Sequence, residues 1–210
     1  MEAMVAAPAR NAAGPESRAR GDARRQQVLD AAAATFSRLG YHGASTRAIA
    51  DALGIKVASL YFHFASKEEA LEQICTLGML RTIGYLDRAM AEADDLRGRL
   101  RRFFERQRDD LLAHADYVSV AIFEGRHLGP EARRRVAAHA GQLRGRIDAM
   151  FAEAAGRGEL HAEVAPREAR FIMIGTLRSI SELYVSGDIR HFERVRGRWV
   201  EAAIRGLAAA

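Results

Sequence analysis

The sequence is poor in cysteine and has no long apolar run. Cys75 is its only cysteine in 210 residues, which excludes an intrachain disulfide and fits a reducing compartment. No apolar run approaches the ~20 residues that are needed to span a bilayer. Residues 1–20 carry no secretory signal, because Arg10, Pro15 and Glu16 interrupt any apolar stretch there. We therefore expect a cytoplasmic protein without a membrane partner.

Signatures of catalysis are missing as well. The seven histidines are scattered, and no two have the His-x-x-x-His spacing of a helical metal site. The chain has no glycine-rich phosphate loop and no Gly-x-Ser-x-Gly nucleophile elbow. Acidic pairs such as Asp94-Asp95 fall on polar helix faces, where solvation explains them. We expect no catalytic residue, no metal site, no cofactor and no enzymatic activity.

Lysine is rare, and its placement is informative. Only two of the 32 basic residues are lysines, Lys56 and Lys67, and they stand close together in the sequence. The net charge of +5 mildly favours an anionic partner. The arginine excess by itself carries no functional weight, because a GC-rich genome also produces it.

Strand signals are nearly absent, since the sequence has no sustained period-2 alternation and no Asn-Gly or Asp-Gly turn. Helical periodicity dominates instead. It predicts an all-α fold with an N-terminal three-helix head and a larger C-terminal helical bundle. We place a disordered arm at 1–21, the head at 22–68 and the body at 69–210. Helices of the later chain are predicted at 66–93, 96–114, 116–126, 130–156, 166–186 and 188–208.

The head begins with two helices whose ends are well marked. The first is predicted over 22–39, with Gly40 as its left-handed terminal residue. The second begins at Ser45 or Thr46, either of whose hydroxyls can cap it, and ends at Gly54.

A short third helix is predicted over 56–62 and a fourth from Ser66. There the Ser66 hydroxyl is expected to accept the Glu69 amide hydrogen, while the Glu69 carboxylate returns to the Ser66 amide. The second and third helices meet at Gly54 in the tight corner of a helix-turn-helix, and Ala50 is small enough for their close crossing. A third helix roughly 10 Å long can enter the ~12 Å major groove of DNA end-on.

This segment strongly resembles the DNA-binding domain of the TetR/AcrR family of transcriptional regulators. The most specific part is the run 60–64 followed by Ser66-Lys67-Glu68. The other matching residues are Phe36, Gly40, Tyr41, Ser45, Thr46, Ile49, Ala50, Leu53, Gly54 and Ile55. The resemblance covers about the first third of the ordered chain and implies double-stranded operator DNA as the partner.

The resemblance also implies a role for each exposed residue of the head. Thr46 and Arg47, which open the second helix, would contact phosphates. Tyr61 and His63 would grip the DNA backbone, and Lys67 would add its charge to the positive end of the fourth helix. The third helix would meet base edges through Lys56, Val57, Ala58 and Ser59. The plainer alternatives are that Tyr61 and His63 are amphipathic residues at a helix end, that Lys67 is a solvated charge, and that Thr46 is only a cap.

A homodimer is expected, because one head reads too few bases for useful specificity. The last two helices are the best candidates for its interface, since both are apolar over much of their circumference. In the family these helices pair with their dimer mates in a four-helix bundle. The alternative is that they form only intramolecular core.

The resemblance further implies a pocket in the body for a small-molecule effector. Periodicity cannot separate pocket from core, so bulky side chains are candidates for either. We name Met79, Tyr117, Phe123, Phe151, Met173 and Tyr184. The segment 123–135, where Arg126 precedes a Gly-Pro-Glu helix start, looks like one in TetR-type regulators that respond to acyl-coenzyme A thioesters. Arg126 would then hold a phosphate or carboxylate; otherwise the arginines at 133–135 are a solvated helix face.

The expected function is therefore a repressor that a small molecule, an acyl-coenzyme A or a related hydrophobic acid, releases from a palindromic operator. Two alternatives stay open: a DNA-binding structural protein without a ligand, and an activator with the same head. Cys75 is expected to be a small buried apolar residue, with a redox sensor as the alternative.

Overall fold

Nine α-helices make up most of the residues that the computed structural model describes, 15–187 and 189–209. They are α1 (Pro15–Gly43), α2 (Thr46–Ala52), α3 (Val57–Leu60), α4 (Lys67–Glu92), α5 (Leu96–Ala113), α6 (Ala115–Ser119), α7 (Pro130–Gly156), α8 (Pro166–Val185) and α9 (Ile189–Leu207). In these ranges the only β-type pairing is an isolated bridge between Leu160 and Ala208. The all-α prediction is confirmed.

The first helix is longer than the sequence pattern predicts. It begins at Pro15 instead of Asp22, so residues 15–21 of the predicted arm are helical, while residues 1–14 lie outside the described residues. Proline suits the first position of a helix, because its missing amide hydrogen has no intrahelical partner there. At the other end Gly40 has the positive φ expected (70°), but its ψ of 162° is extended and not left-handed helical, and it kinks α1 ahead of a last turn that ends at Gly43.

The start of α4 is capped almost as predicted. The Ser66 hydroxyl accepts the Glu69 amide hydrogen at 3.1 Å. The Glu69 carboxylate, however, accepts the Ala65 amide at 2.6 Å and not that of Ser66. Ser66 is extended (φ −153°, ψ 161°), and the long glutamate side chain reaches back across it to the preceding residue.

The continuous helix expected over 116–126 is wrong. Helix α6 ends at Ser119, a π-helical turn follows over Val120–Glu124, and a 3-10 turn over Gly125–His127 completes the segment. Single π-turns inside helices are frequently found at functional sites. Here the Glu124 carboxylate, at the end of the π-turn, accepts the Tyr41 amide hydrogen of the head at 2.8 Å.

The remaining helices agree with the sequence pattern to within two residues at each end. Pro130 and Pro166 stand at the first positions of α7 and α8, where the missing amide hydrogen has no intrahelical partner. Gly187 has φ 88°, a turn conformation that favours glycine, ahead of α9, and Asp188, the first residue of the predicted last helix, lies outside the described residues. Across residues 15–187 and 189–209, no helix has a stretch long and apolar enough to cross a bilayer.

The buried apolar residues form two clusters, and α4 contributes residues to both. The head cluster is built on residues of α1, α2 and α3 together with the first two turns of α4, and Tyr117, Val120 and Leu128 of the body join it. The body cluster is built from the second half of α4 and from α5, α7, α8 and α9. Because α4 is one continuous helix, a shift of its body end moves its head end as well.

Candidate nucleic-acid interface

The corner of the helix-turn-helix is held by the backbone. The Ile55 amide donates to the Ala50 carbonyl at 3.1 Å, across Gly54, which has φ 62°. Ser45, and not Thr46, caps α2: its hydroxyl accepts the Ala48 amide hydrogen at 3.1 Å. The Thr46 hydroxyl, in the first turn of α2, is thereby left for another partner.

Helix α3 has sharply different sides. Leu60 and Phe64 are buried in the head cluster. Between them, Tyr61 is 51% exposed and Phe62 is 88% exposed. The buried pair fixes the orientation of the turn, so that its other side faces solvent.

The predicted DNA-contacting residues lie on this open side to different degrees. Arg47, Lys56, Ala58 and Tyr61 are exposed, whereas Thr46, Val57, Ser59, His63 and Lys67 are half-buried. Lys56 is the residue before α3 and makes no side-chain capping bond. Within residues 15–187 and 189–209, neither Arg47 nor Lys56 makes an ion pair. Both cations are thus available to an anionic partner.

Lys67 has an internal function that the sequence did not predict. Its ammonium donates to the Tyr41 carbonyl at 2.7 Å and to the Ala44 carbonyl at 3.0 Å, and it lies 4.3 Å from the centre of the Tyr41 ring. These contacts tie the start of α4 to the loop between α1 and α2. One of its three N–H groups stays available, so the predicted phosphate contact and this anchoring function are compatible.

Hydrogen bonds between head and body form a junction that sequence reasoning missed. The Tyr117 hydroxyl donates to the Asp30 carboxylate at 2.8 Å and accepts from the Gln26 amide at 2.8 Å. The Gly129 amide donates to the Glu68 carboxylate at 2.7 Å. Burial, followed by the hydrogen bond to Asp30, raises the pKa of Tyr117, so this hydroxyl keeps its proton. These partners are 61 to 91 residues apart in sequence, and no local pattern could have paired them.

A charge pair strengthens the same junction. The Arg135 guanidinium donates to the Glu72 carboxylate at 2.7 Å, linking α7 to the first half of α4. This hydrogen bond lowers the pKa of Glu72.

The structure does not bring the seven predicted ligand residues into one cavity. Phe151 and Met173 are fully buried in the body cluster, and Tyr117 belongs to the junction. Phe123 and Arg126 are exposed, while Met79 and Tyr184 are half-buried. The Arg126 guanidinium donates to a ring nitrogen of His127 at 3.2 Å, and it has no carboxylate partner among the described residues.

An open cleft of about 700 Å³ lies between α1, α4 and α7. Its polar rim mixes Asp22, Glu69 and Glu72 with Arg25 and Arg135. None of the seven predicted ligand residues lines it. A smaller groove of about 230 Å³ does include Tyr184.

Cys75 is 3% exposed, and burial raises the pKa of its thiol to about 12. A protonated, enclosed thiol is a poor nucleophile. The environment of Cys75 therefore favours the structural interpretation over a redox sensor. Among residues 15–187 and 189–209, no group of three or more histidine, cysteine or acidic side chains is placed to hold a metal ion.

An all-helical body joined through one long helix to a helix-turn-helix head is the architecture of a class of DNA-binding regulators. Comparison with protein families agrees with this class. The family model of bacterial regulatory proteins of the tetR family matches residues 28–74, and a model of the tetracyclin repressor-like C-terminal domain matches residues 93–187. The chain belongs to the TetR family of regulators.

Individual relatives match this chain over only part of their length or at low sequence identity. The HTH-type transcriptional repressor KstR2 of Mycobacterium tuberculosis is 41% identical over 75 residues, which are 36% of this chain and 34% of KstR2. The chain thus matches about a third of the length of that relative. The TetR-family regulator PfmR of Thermus thermophilus superposes with a TM-score of 0.75 at 27% identity, over 85% of this chain and 97% of PfmR. AibR, solved with isovaleryl coenzyme A and operator DNA, superposes with a TM-score of 0.65 at 25% identity, over 78% of this chain and 95% of AibR.

Proposed function

We propose that the protein is a dimeric transcriptional repressor that binds a palindromic operator through its two heads and is released by an acyl-coenzyme A thioester. The observation that carries the DNA-binding part is the open side of the helix-turn-helix. There Arg47, Lys56 and Tyr61 are exposed, and neither cation makes an ion pair within the part of the chain that the structure describes. The third helix is narrow enough to enter the major groove. The name of KstR2 as a repressor supports the direction of regulation.

The surface of α8 and α9 supports the dimer. Phe171 is 59% exposed, Ile172 is 41% exposed and Trp199 is 41% exposed. Large apolar side chains that stay this open on neighbouring helices are typical of an interface with a second copy. A two-fold dimer presents two equivalent heads, which matches the two half-sites of a palindrome.

The effector class is supported by chemistry and by likeness. AibR was solved with isovaleryl coenzyme A, and the present chain shares its fold at 25% identity. Arg126, exposed and without a carboxylate partner among the described residues, suits a coenzyme A phosphate. The mixed-charge cleft between α1, α4 and α7 suits such an anion less well, because Asp22, Glu69 and Glu72 repel it.

The junction offers a route from effector to DNA. An acyl chain that enters the body has to displace packed side chains such as Phe151 and Met173, because both are fully buried. Repacking there moves the body end of α4 and the π-turn that carries Glu124. Glu124 holds the Tyr41 amide of the head, so head spacing changes with the body. The effector lowers the affinity for DNA to the extent that it binds this second arrangement of the helices more tightly than the first.

The phosphate-contact assignment is tested with Arg47→Ala. We expect about tenfold weaker operator binding at moderate salt, and a slope of log affinity against log salt that is smaller in magnitude by about one. Fluorescence anisotropy over a salt series measures both. Arg102→Ala, which removes an exposed arginine of α5, is the matched control and should leave the slope unchanged. An unchanged slope in Arg47→Ala contradicts the assignment.

The effector is tested by thermal shift and by release from DNA. Short- and long-chain acyl-coenzyme A thioesters are compared with the corresponding free acids, coenzyme A and cationic drugs. A cognate thioester at about 100 times its Kd stabilises the fold by about 2.7 kcal/mol and weakens DNA binding. Arg126→Ala should reduce the thioester response but not DNA affinity, while Arg134→Ala, on the exposed start of α7, should change neither. Absence of stabilisation by every thioester rejects the acyl-coenzyme A proposal and leaves DNA binding untouched.

A further inference from the structure

Phe62 is the most exposed large apolar side chain among those whose burial the structure describes, which leaves out residues 1–18, 188–191, 193 and 210. It is 88% exposed, whereas the next, Phe171, is 59% exposed. Single exposed apolar residues are common on protein surfaces. Phe62 differs from those because it lies two residues beyond the short third helix of a DNA-binding head, beside the half-exposed Tyr61.

The backbone fixes the direction in which Phe62 points. The His63 and Phe64 amides both donate to the Leu60 carbonyl, so the helical turn continues past α3. Residues four apart in a helical turn lie on one side, and Phe62 and Ala58 are both exposed. Leu60 and Phe64 occupy the buried side and cannot rotate out without opening the head cluster.

The exposed side of the third helix carries apolar side chains as well as polar ones. Val57, Ala58 and Phe62 offer only hydrocarbon, and the polar groups around them are Lys56, Ser59 and the Tyr61 hydroxyl. A phenyl ring cannot read hydrogen-bond donors or acceptors. In the major groove the apolar feature that distinguishes base pairs is the C5-methyl group of thymine.

We propose that Phe62 is a specificity residue that packs against a thymine methyl at one position of each operator half-site. The assignment rests on the proposed operator binding and names the base-pair feature that this head reads. It predicts a thymine at the half-site position nearest the end of the third helix. It also explains why this residue stays exposed in the free protein, since the phenyl ring loses its contact with water only on DNA.

The test uses duplexes that the full-length protein selects from a random pool. Each conserved thymine is replaced by uracil, which removes the methyl group alone, and affinity is measured for wild type and Phe62→Ala. In wild type, uracil at one position of both half-sites should weaken binding about tenfold, because each half-site loses the burial of one methyl group. Phe62→Ala should weaken binding to the thymine duplex by a similar factor and lose no further affinity with uracil. Phe62→Leu, which keeps an apolar side chain, should retain part of the thymine preference.

Three outcomes overturn the proposal: no uracil substitution weakens wild-type binding, Phe62→Ala binds the thymine duplex like wild type, or its loss is the same on thymine and uracil duplexes. The third outcome would place the ring on a deoxyribose. Thermal denaturation of Phe62→Ala, whose side chain is exposed, should match wild type and exclude misfolding. If wild type selects no duplex at all, operator binding itself fails, which distinguishes the two claims.

Discussion

Replacing Phe151 by alanine is expected to lower the free energy of unfolding by about 3–5 kcal/mol. The ring is fully buried in the body cluster, to which Phe104, Ile147 and Ile180 also belong. Its removal forfeits the transfer of a large apolar side chain from water and leaves a cavity that helices packed on several sides cannot close. Urea denaturation at a fixed protein concentration measures the change.

Phe123→Ala is the matched control, because it removes the same ring from an exposed position of the π-turn. Its expected cost is below about 1 kcal/mol, in the range of ordinary surface substitutions. The pair separates two interpretations of Phe151. If Phe151 lined an open effector pocket, its truncation would leave little unfilled core, and its cost would fall to that of Phe123.

Introducing two charges on the exposed side of α8 and α9 is expected to convert the protein to a monomer. The double variant Phe171→Glu with Trp199→Glu replaces side chains that are 59% and 41% exposed, so the fold of one chain should tolerate it. In the proposed dimer the same two carboxylates would be buried without partners, which a dimer interface does not tolerate. Operator affinity should fall by 100-fold or more. The two heads of a dimer are linked, so once one head is bound the other binds its half-site intramolecularly, and a monomer loses this advantage.

Light scattering coupled to size-exclusion chromatography measures the mass, and anisotropy measures the affinity. Leu80→Glu is the control, because Leu80 is a similarly exposed apolar residue that belongs to α4 and not to either of the last two helices. It should leave the protein dimeric. A double variant that stays dimeric would exclude the α8 and α9 surface as the interface.

The head was predictable because its signals are local. Gly40 and Gly54 both adopt the positive φ that ends a helix, and Ser45 and Ser66 both cap the next one. Such positions depend on the conformational preference of one residue and on hydrogen bonds spanning three residues. They therefore appear in the sequence before any tertiary contact is known.

The junction and the ligand residues were not predictable in the same way. Glu124 bonds a residue 83 positions earlier, and the π-turn that places it has no simple sequence signature. Phe151 and Phe123 are the same residue type on helical segments, yet one is enclosed and the other is open. Lys67 carries the charge that a phosphate contact needs, but two of its N–H groups donate hydrogen bonds to carbonyls of its own chain. Burial and partner choice are decided by which helices meet, and helical periodicity does not specify that.

Exposure of Phe62 lies between these cases. The sequence places an aromatic run at the end of the third helix. The four-residue spacing of Leu60 and Phe64 predicts that both side chains lie on the same side of the turn. The spacing of apolar residues does not predict that the Phe62 ring stays in solvent, because Phe36 and Phe64 are equally apolar and are buried.

The central claim is sequence-specific operator binding by a dimer, and one anisotropy titration tests it most directly. The protein is titrated onto an inverted-repeat duplex that it has selected, and onto a scrambled duplex of the same composition, at physiological salt. We expect one dimer per palindrome and at least about 10³-fold tighter binding to the inverted repeat. Equal affinity for the two duplexes would contradict the account, because it would leave only the charge of the head and no reading of sequence.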